Sequence, residues 1–403
     1  MNLGLIGFAT LIVGLYIECP YSNWVRAAGG KSAVMGDIST PNEALTMAQQ
    51  PLETRALRNA TRKITQAVLG DADLGALSLL PGVWANLRDP KNPTAGPLNG
   101  RGWNMIALPA AIPEGQGVNF RLLMNQYNER LIITTKDTGV PNRGIQPNPP
   151  TGIPTVPTDQ EIVALDYEQG IAHIATDDAP SSTLKQPIGA AIHHEPGLFL
   201  FFKNQVNDGI DIARLGTIPH GNSLLALGTS ESAKAGKPII PAFSGLPIGM
   251  GDPDTKTSPF LAPYRHFIEE PFLGLFSPSK THELLVKAVE SLGPVLRTTT
   301  LAFSTRNANG GIVNIPFIVN QANAIEMDVT FWILELEERG GDGRPRLIMM
   351  YHQVVMLEFF PRTDGKPGLI KWPHVSINTM ERIPDALATA QLTTTDITPD
   401  ALS

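Results

Sequence analysis

Asn119-Phe120-Arg121-Leu122-Leu123-Met124-Asn125-Gln126-Tyr127-Asn128 returns 195 residues later as Asn314-Ile315-Pro316-Phe317-Ile318-Val319-Asn320-Gln321-Ala322-Asn323. Each copy carries an apolar run, then asparagine, glutamine and asparagine at one spacing, and polar identities of that kind exceed what alternation alone produces. Two further pairs follow in the same order: Tyr167-Glu168-Gln169 with Tyr351-His352-Gln353, and His194 with His374. Self-similarity in this order predicts a duplicated chain whose halves share one strand order.

Outward from this stretch the texture is short apolar runs cut by turns. Trp103 to Leu108, Phe120 to Met124, Leu131 to Thr135, Ile162 to Leu165, Leu198 to Phe202, Ile210 to Leu215 and Leu224 to Leu227 read as strands by length and residue type. Val329 to Leu336 and Leu347 to Phe360 are the strongest, joined by Gly340-Gly341-Asp342-Gly343, while Asn207-Asp208-Gly209 and Thr363-Asp364-Gly365 are hairpin turns. Residues 40–70 read as one or two helices, opened by Thr40-Pro41-Asn42-Glu43 and stopped by Gly70. Ser277-Pro278 opens another, with Leu284, Leu285, Ala288 and Leu292 on one face. The proline-rich segment 139–157 reads as a long loop. The fold expected is mainly β, two related calycin-like β-barrel halves with short flanking helices. Residues 1–75 are an apolar segment and helices, 76–230 the first half, 231–270 a Pro/Gly-rich linker packed on the surface, and 271–403 a helix plus the second half.

A chain of 403 residues exceeds the usual single domain, and 42% apolar with 17% charged residues supports a sizeable core. The formal charge of −7, with Lys and Arg scattered singly, offers no basic stripe for a phosphate backbone, so nucleic acid is excluded as a partner. One cysteine, Cys19, rules out an intrachain disulfide and any Cys-rich metal site. Residues 3–17 are apolar but lack the basic start of a signal peptide and fall short of a membrane span, which leaves membrane association through them as an expectation and favours a cytoplasmic location.

Chemistry concentrates on histidine. In His193-His194-Glu195-Pro196-Gly197 alternation puts His193 and Glu195 on one face and His194 on the other, an arrangement in which a carboxylate can orient an imidazole. His352 shares a strand face with Ile348, Met350, Val354 and Met356, where a neutral imidazole could be an axial ligand or a core residue bonded to a carbonyl. His374, in Trp372-Pro373-His374-Val375, suits a pocket wall or a strand end. No Gly-x-Ser-x-Gly elbow, phosphate loop, His-Glu-x-x-His or dinucleotide fingerprint occurs, which removes the ordinary hydrolase, kinase and dehydrogenase classes.

Residues 80–228 resemble the nitrobindin-type branch of the lipocalin and fatty-acid-binding β-barrels. The resemblance is carried by Leu80-Pro81-Gly82-Val83-Trp84, by Tyr167 and Gln169, by His193, Glu195 and Gly197 leading into Leu198 to Phe202, and by Arg214 to Gly228. It implies a barrel that binds haem b, or in relatives a fatty acid. The axial histidine is implied near the barrel end, at His220, with His193 a pocket residue on the distal side. The metal candidates are thus His220 and His352, and the cofactor-binding set is Tyr167, His193, Glu195, His220, His352 and His374. The implied function is binding of haem or another hydrophobic small molecule. The alternatives are a haem-dependent peroxidase or peroxygenase, a cofactor-free isomerase using His193 with Glu195, and a structural or interaction protein with a filled barrel.

Overall fold

The computed structural model describes residues 62–86, 102–110, 119–142, 145–148, 153–157, 160–181, 189–204, 206–250 and 261–383. Among the described residues there are fifteen strands: β1 (Lys63–Gln66), β2 (Gly82–Asn86), β3 (Gly102–Pro109), β4 (Phe120–Asn142), β5 (Ile145–Asn148), β6 (Ile153–Pro157), β7 (Gln160–Ala179), β8 (Ala191–Phe202), β9 (Ile212–Ile218), β10 (Asn222–Ala235), β11 (Val295–Ser304), β12 (Gly311–Asn314), β13 (Asn323–Arg339), β14 (Pro345–Pro361) and β15 (Leu369–Ile383). The helices are a 3₁₀ turn at Ala72–Leu77, then α1 (Ala262–Glu269), α2 (Glu283–Ser291) and α3 (Pro316–Gln321).

These strands close one antiparallel barrel of ten places. Its ring runs β4-β7-β8-β9-β10-β11-β13-β14-β15, and the tenth place, between β15 and β4, is shared end to end by β2 and β3. The expected pair of barrels is therefore a single ring drawn from both sides of the expected linker, since β10 pairs directly with β11. Closure leaves no sheet edge along the ring, which neither half could achieve with its own strands in this pairing. The quoted repeat does not share one conformation. Asn125-Gln126-Tyr127-Asn128 lies in β4, whereas Pro316 fixes the first turn of α3 and takes Asn320 and Gln321 into that helix.

Other departures have local causes. Of the expected 40–70 helix, residues 40–61 lie outside the described residues, and within 62–70 Lys63–Gln66 form β1 because β4 offers a partner from Thr135 to Thr138. The expected loop at 139–157 contains the end of β4 and the β5–β6 ribbon. The Pro/Gly-rich segment is a belt, with Phe243, Met250, Leu261 and Tyr264 packed on the outer wall. The helix expected after Ser277 forms at Glu283–Ser291 and buries Leu284, Leu285, Ala288 and Val289. At the Asn207–Ile210 hairpin Asp208 and Gly209 both take positive φ, 54° and 75°, as a two-residue turn between twisted strands demands.

Alternation divides each strand between two cores. Inside, Val163, Leu165, Phe199, Ile212, Phe303, Phe331, Ile333 and Met349 fill one end of the barrel, which Leu74, Leu77 and Leu80 plug. Outside, Trp103, Met105, Phe120, Ile348 and Met350 pack beneath the belt, α1 and α2. Trp372 stacks on Phe359 at 4.6 Å and 5°, and its Nε1 donates to the Phe359 carbonyl at 2.9 Å. Burial on both faces explains why Leu347-Ile348-Met349-Met350 is continuously apolar rather than alternating.

Candidate functional site at the histidine end of the barrel

Pairing fixes which side chains look inward. Tyr167 and Gln169 of β7 face Gly197 and Glu195 of β8, Ile171 faces His193, and Gly197 faces Gly216 of β9. Across the barrel Gln353 and Val355 of β14 stand beside Ser376 and His374 of β15. Above the plugged, apolar end these residues build a polar layer and, above that, the histidine end of the barrel.

The layer centres on Glu195 and Arg214, whose side chains are each 2% exposed. Glu195 Oε1 accepts from Arg214 Nη2 at 2.9 Å and from the Tyr167 hydroxyl, and Oε2 lies 3.3 Å from His193 Nε2. Arg214 Nη1 donates to Gln353 Oε1 at 2.9 Å, and its guanidinium carbon stands 5.3–6.0 Å from the ring centroids of Tyr167, Phe331 and Phe199. Burial alone would raise the Glu195 carboxyl, but the Arg214 charge, with hydrogen bonds from His193 and Tyr167, brings it down to about 2. Burial pushes the Tyr167 hydroxyl up. The glycines make this possible. A Cβ on Gly197 would lie 2.1 Å from the Leu215 carbonyl oxygen and 2.5 Å from Tyr167 Cζ, and one on Gly216 would lie 2.2 Å from Glu195 Oε1.

A second buried carboxylate sits where β2 stops at Asn86 and β3 starts at Gly102. Glu129 Oε2 accepts from the Tyr351 hydroxyl at 2.5 Å and Asn378 Nδ2 at 2.7 Å, and Oε1 accepts from Gln169 Nε2 at 2.6 Å. Burial holds this carboxyl above its ordinary range against those donors. Asn86 Oδ1 accepts from the Glu129 backbone N–H, and Asn86 Nδ2 donates to Asn378 Oδ1, so one side-chain amide replaces the strand partner missing from the wall.

Above the layer, inward-facing His193, Ile218, Gln353, Val355 and His374 are each partly exposed although they lie on the barrel's inner face. The rings of His193 and His220 stand 6.0 Å apart at 72°. Burial, and then the neighbouring His193 and His220, push the His374 imidazole down to about 4, and burial with His193 lowers His220.

The structure thus gathers Tyr167, His193, Glu195, His220 and His374 at one end of the barrel. It does not bring His352 to them. That residue faces outward, its ring 4.6 Å from Phe243 of the belt, with Nε2 buried and unpartnered and its imidazole lowered to about 4 by burial and then by His282. His194 also faces outward and meets Glu168 at 3.1 Å. Among the described residues no group of three or more His, Cys, Asp or Glu side chains is placed to hold a metal ion by itself. A cleft of about 400 Å³ lies at the plugged end beside Phe201, Glu231, Arg297 and Glu335, and it contains none of the histidines. Sequence reading missed Arg214, Glu129, Tyr351 and Gln353. The signal for Arg214 was available, a lone charge on the inward phase of Ile212-Ala213-Arg214-Leu215.

No family model matches the chain, and no curated protein matches it significantly. Among solved structures it is similar to the crystal structure of Rv2717c from M. tuberculosis, at 14% identity and a TM-score of 0.30 over 79% of this chain and 100% of that one.

Proposed function

We propose that the barrel binds a hydrophobic small molecule at its histidine end, and that haem b is the ligand the lining suits. The observation that carries this reading is the gathering of His193, His220 and His374 at one end of the barrel, with His193 and His374 on its inner face. A β-barrel is compatible with binding an apolar ligand. The donor set fits haem, because the downward shifts of His220 and His374 keep both imidazoles neutral near pH 7, with a lone pair free for a metal. His220 or His374 would supply the nitrogen that holds it, Ile218 and Val355 apolar wall, and His193 a further polar group beside it. Bound there, haem b would supply an iron to which small nitrogen- or oxygen-containing molecules can add.

Binding is favoured over acid–base catalysis by His193 with Glu195. A carboxylate held near 2 by Arg214 is a weak base, and two of its partners already occupy Oε1. Glu195 is better placed to orient the His193 ring. The test is an absorption spectrum of the purified protein before and after stoichiometric hemin. The expected result is a Soret band that shifts or disappears in His220→Ala or His374→Ala and survives in His352→Ala. A protein that takes up no hemin refutes the haem assignment. Solvent extraction and mass spectrometry of the same sample then reads any other apolar ligand, and finding none refutes the binding reading itself.

A further inference from the structure

Beside the histidine end stands a feature that ligand binding does not use. Between β11 and β13 the chain leaves the ring, runs along β10 as β12, and turns through α3. Val313 is 74% exposed, Ile315 48%, Phe317 67% and Val319 49%, and α3 has no buried residue. From Asn307 to Ile325 no residue carries a charge. This finger is held firmly at its base. Asn222 Nδ2 donates to Asn314 Oδ1, and Asn314 Nδ2 donates to Asn323 Oδ1 at 3.0 Å and to the Ala324 carbonyl at 2.8 Å. Ile315 N–H donates to the Gly221 carbonyl at 2.9 Å, next to His220.

We propose that residues 311–321 dock the histidine end of the barrel on a neutral lipid surface, with Val313, Ile315, Phe317 and Val319 entering the boundary between headgroups and acyl chains. These side chains leave roughly 400 Å² of apolar surface in water, within the range that marks a functional patch on a monomer. That is about half of the ~800 Å² per partner that a stable protein interface covers, so a second copy of the chain finds too little to hold. A lipid surface needs no matching shape, only apolar side chains carried on an uncharged, rigid support. Asn320 and Gln321, both exposed on α3, place amide groups where headgroups and water would meet the finger. This inference does not depend on which ligand the barrel holds.

The test is co-sedimentation of the full chain with phosphatidylcholine vesicles at low and high salt. The expected result is binding that salt does not weaken, because no charge takes part, together with a loss of about tenfold or more in the Phe317→Asp/Val319→Asp variant. Phe317→Leu keeps binding, which separates lost apolarity from lost fold, and Ile64→Asp, at the opposite end of the barrel, leaves it unchanged. The proposal is overturned if the wild-type chain stays in the supernatant, or if the double variant sediments as well as the wild type. It is also overturned if the wild type is a dimer without lipid and Phe317→Asp/Val319→Asp makes it a monomer.

Discussion

Replacing Glu195 by glutamine keeps the shape of the polar layer and removes its compensating charge, so Arg214 is left at 2% exposure without its carboxylate. Breaking a buried pair from one side costs about 3–5 kcal/mol, because the remaining ion can neither reach water nor find another partner. Proton linkage gives a similar figure. A carboxyl drawn from 4.5 to about 2 on folding corresponds to roughly 3 kcal/mol. The sign follows from the lowered value: this contribution is fully present above pH ~4.5 and is lost as pH falls toward about 2. Arg214→Met is expected to cost less, since Glu195 without the guanidinium takes up a proton and ceases to be a buried charge. The double variant Glu195→Gln/Arg214→Met removes both charges and should lose well under the sum of the single losses. Urea unfolding of the four proteins at neutral pH closes the cycle, with an expected coupling of about 2 kcal/mol or more. A Glu195→Gln loss below about 1 kcal/mol, or additive singles, would show that the layer is solvated and the reasoning wrong.

Gly197→Ala introduces a Cβ against the Leu215 carbonyl oxygen and the Tyr167 ring, and since a backbone atom cannot swing aside it should lower unfolding free energy by about 1–3 kcal/mol; Gly293→Ala, with nothing within 4 Å and no left-handed backbone, meets no such contact, so a larger loss there than at Gly197 would refute the packing account. His352→Leu removes a buried, unpartnered nitrogen from the outer wall and should raise stability at pH 7 by about 1 kcal/mol. The same variant bears on acid sensitivity. His352 and His374 fall from 6.5 to about 4 on folding, so the unfolded chain binds more protons between those values, and stability declines as pH drops from about 6.5 toward 4. Melting temperatures across that window should fall less steeply in His352→Leu than in the wild type, and identical slopes would remove His352 from the account.

Much of the wall was legible. The runs at 198–202, 329–336 and 347–360 carry β-branched and aromatic residues between turn signals, and their turns at Asn207-Asp208-Gly209 and Gly340–Gly343 are local chemistry that no distant contact has to decide. The two-residue period also separated His193 and Glu195 from His194, because opposite pointing of neighbours is a property of the extended backbone itself. The His-x-Glu-x-Gly order has a physical basis in the structure, for Gly197 leaves the room into which Tyr167 reaches Glu195.

What sequence could not decide is which strands meet and which side of a strand is inside. The similarity of 119–128 to 314–323 is real as text, yet one copy is strand and the other helix, since a proline at the first turn outweighs a shared Asn-Gln-x-Asn pattern. His352 lies on a face as apolar as the barrel interior because β14 is buried on both sides, and periodicity alone cannot tell an inner wall from an outer one beneath a belt. The site itself is long-range. Arg214 meets Gln353 across 139 residues and Tyr351 meets Glu129 across 222. Local sequence determines a residue's phase on its strand, while ring closure through β10–β11 and through β2, β3 and β15 decides which phases face one another, and only that closure brings the three histidines to one end of one barrel.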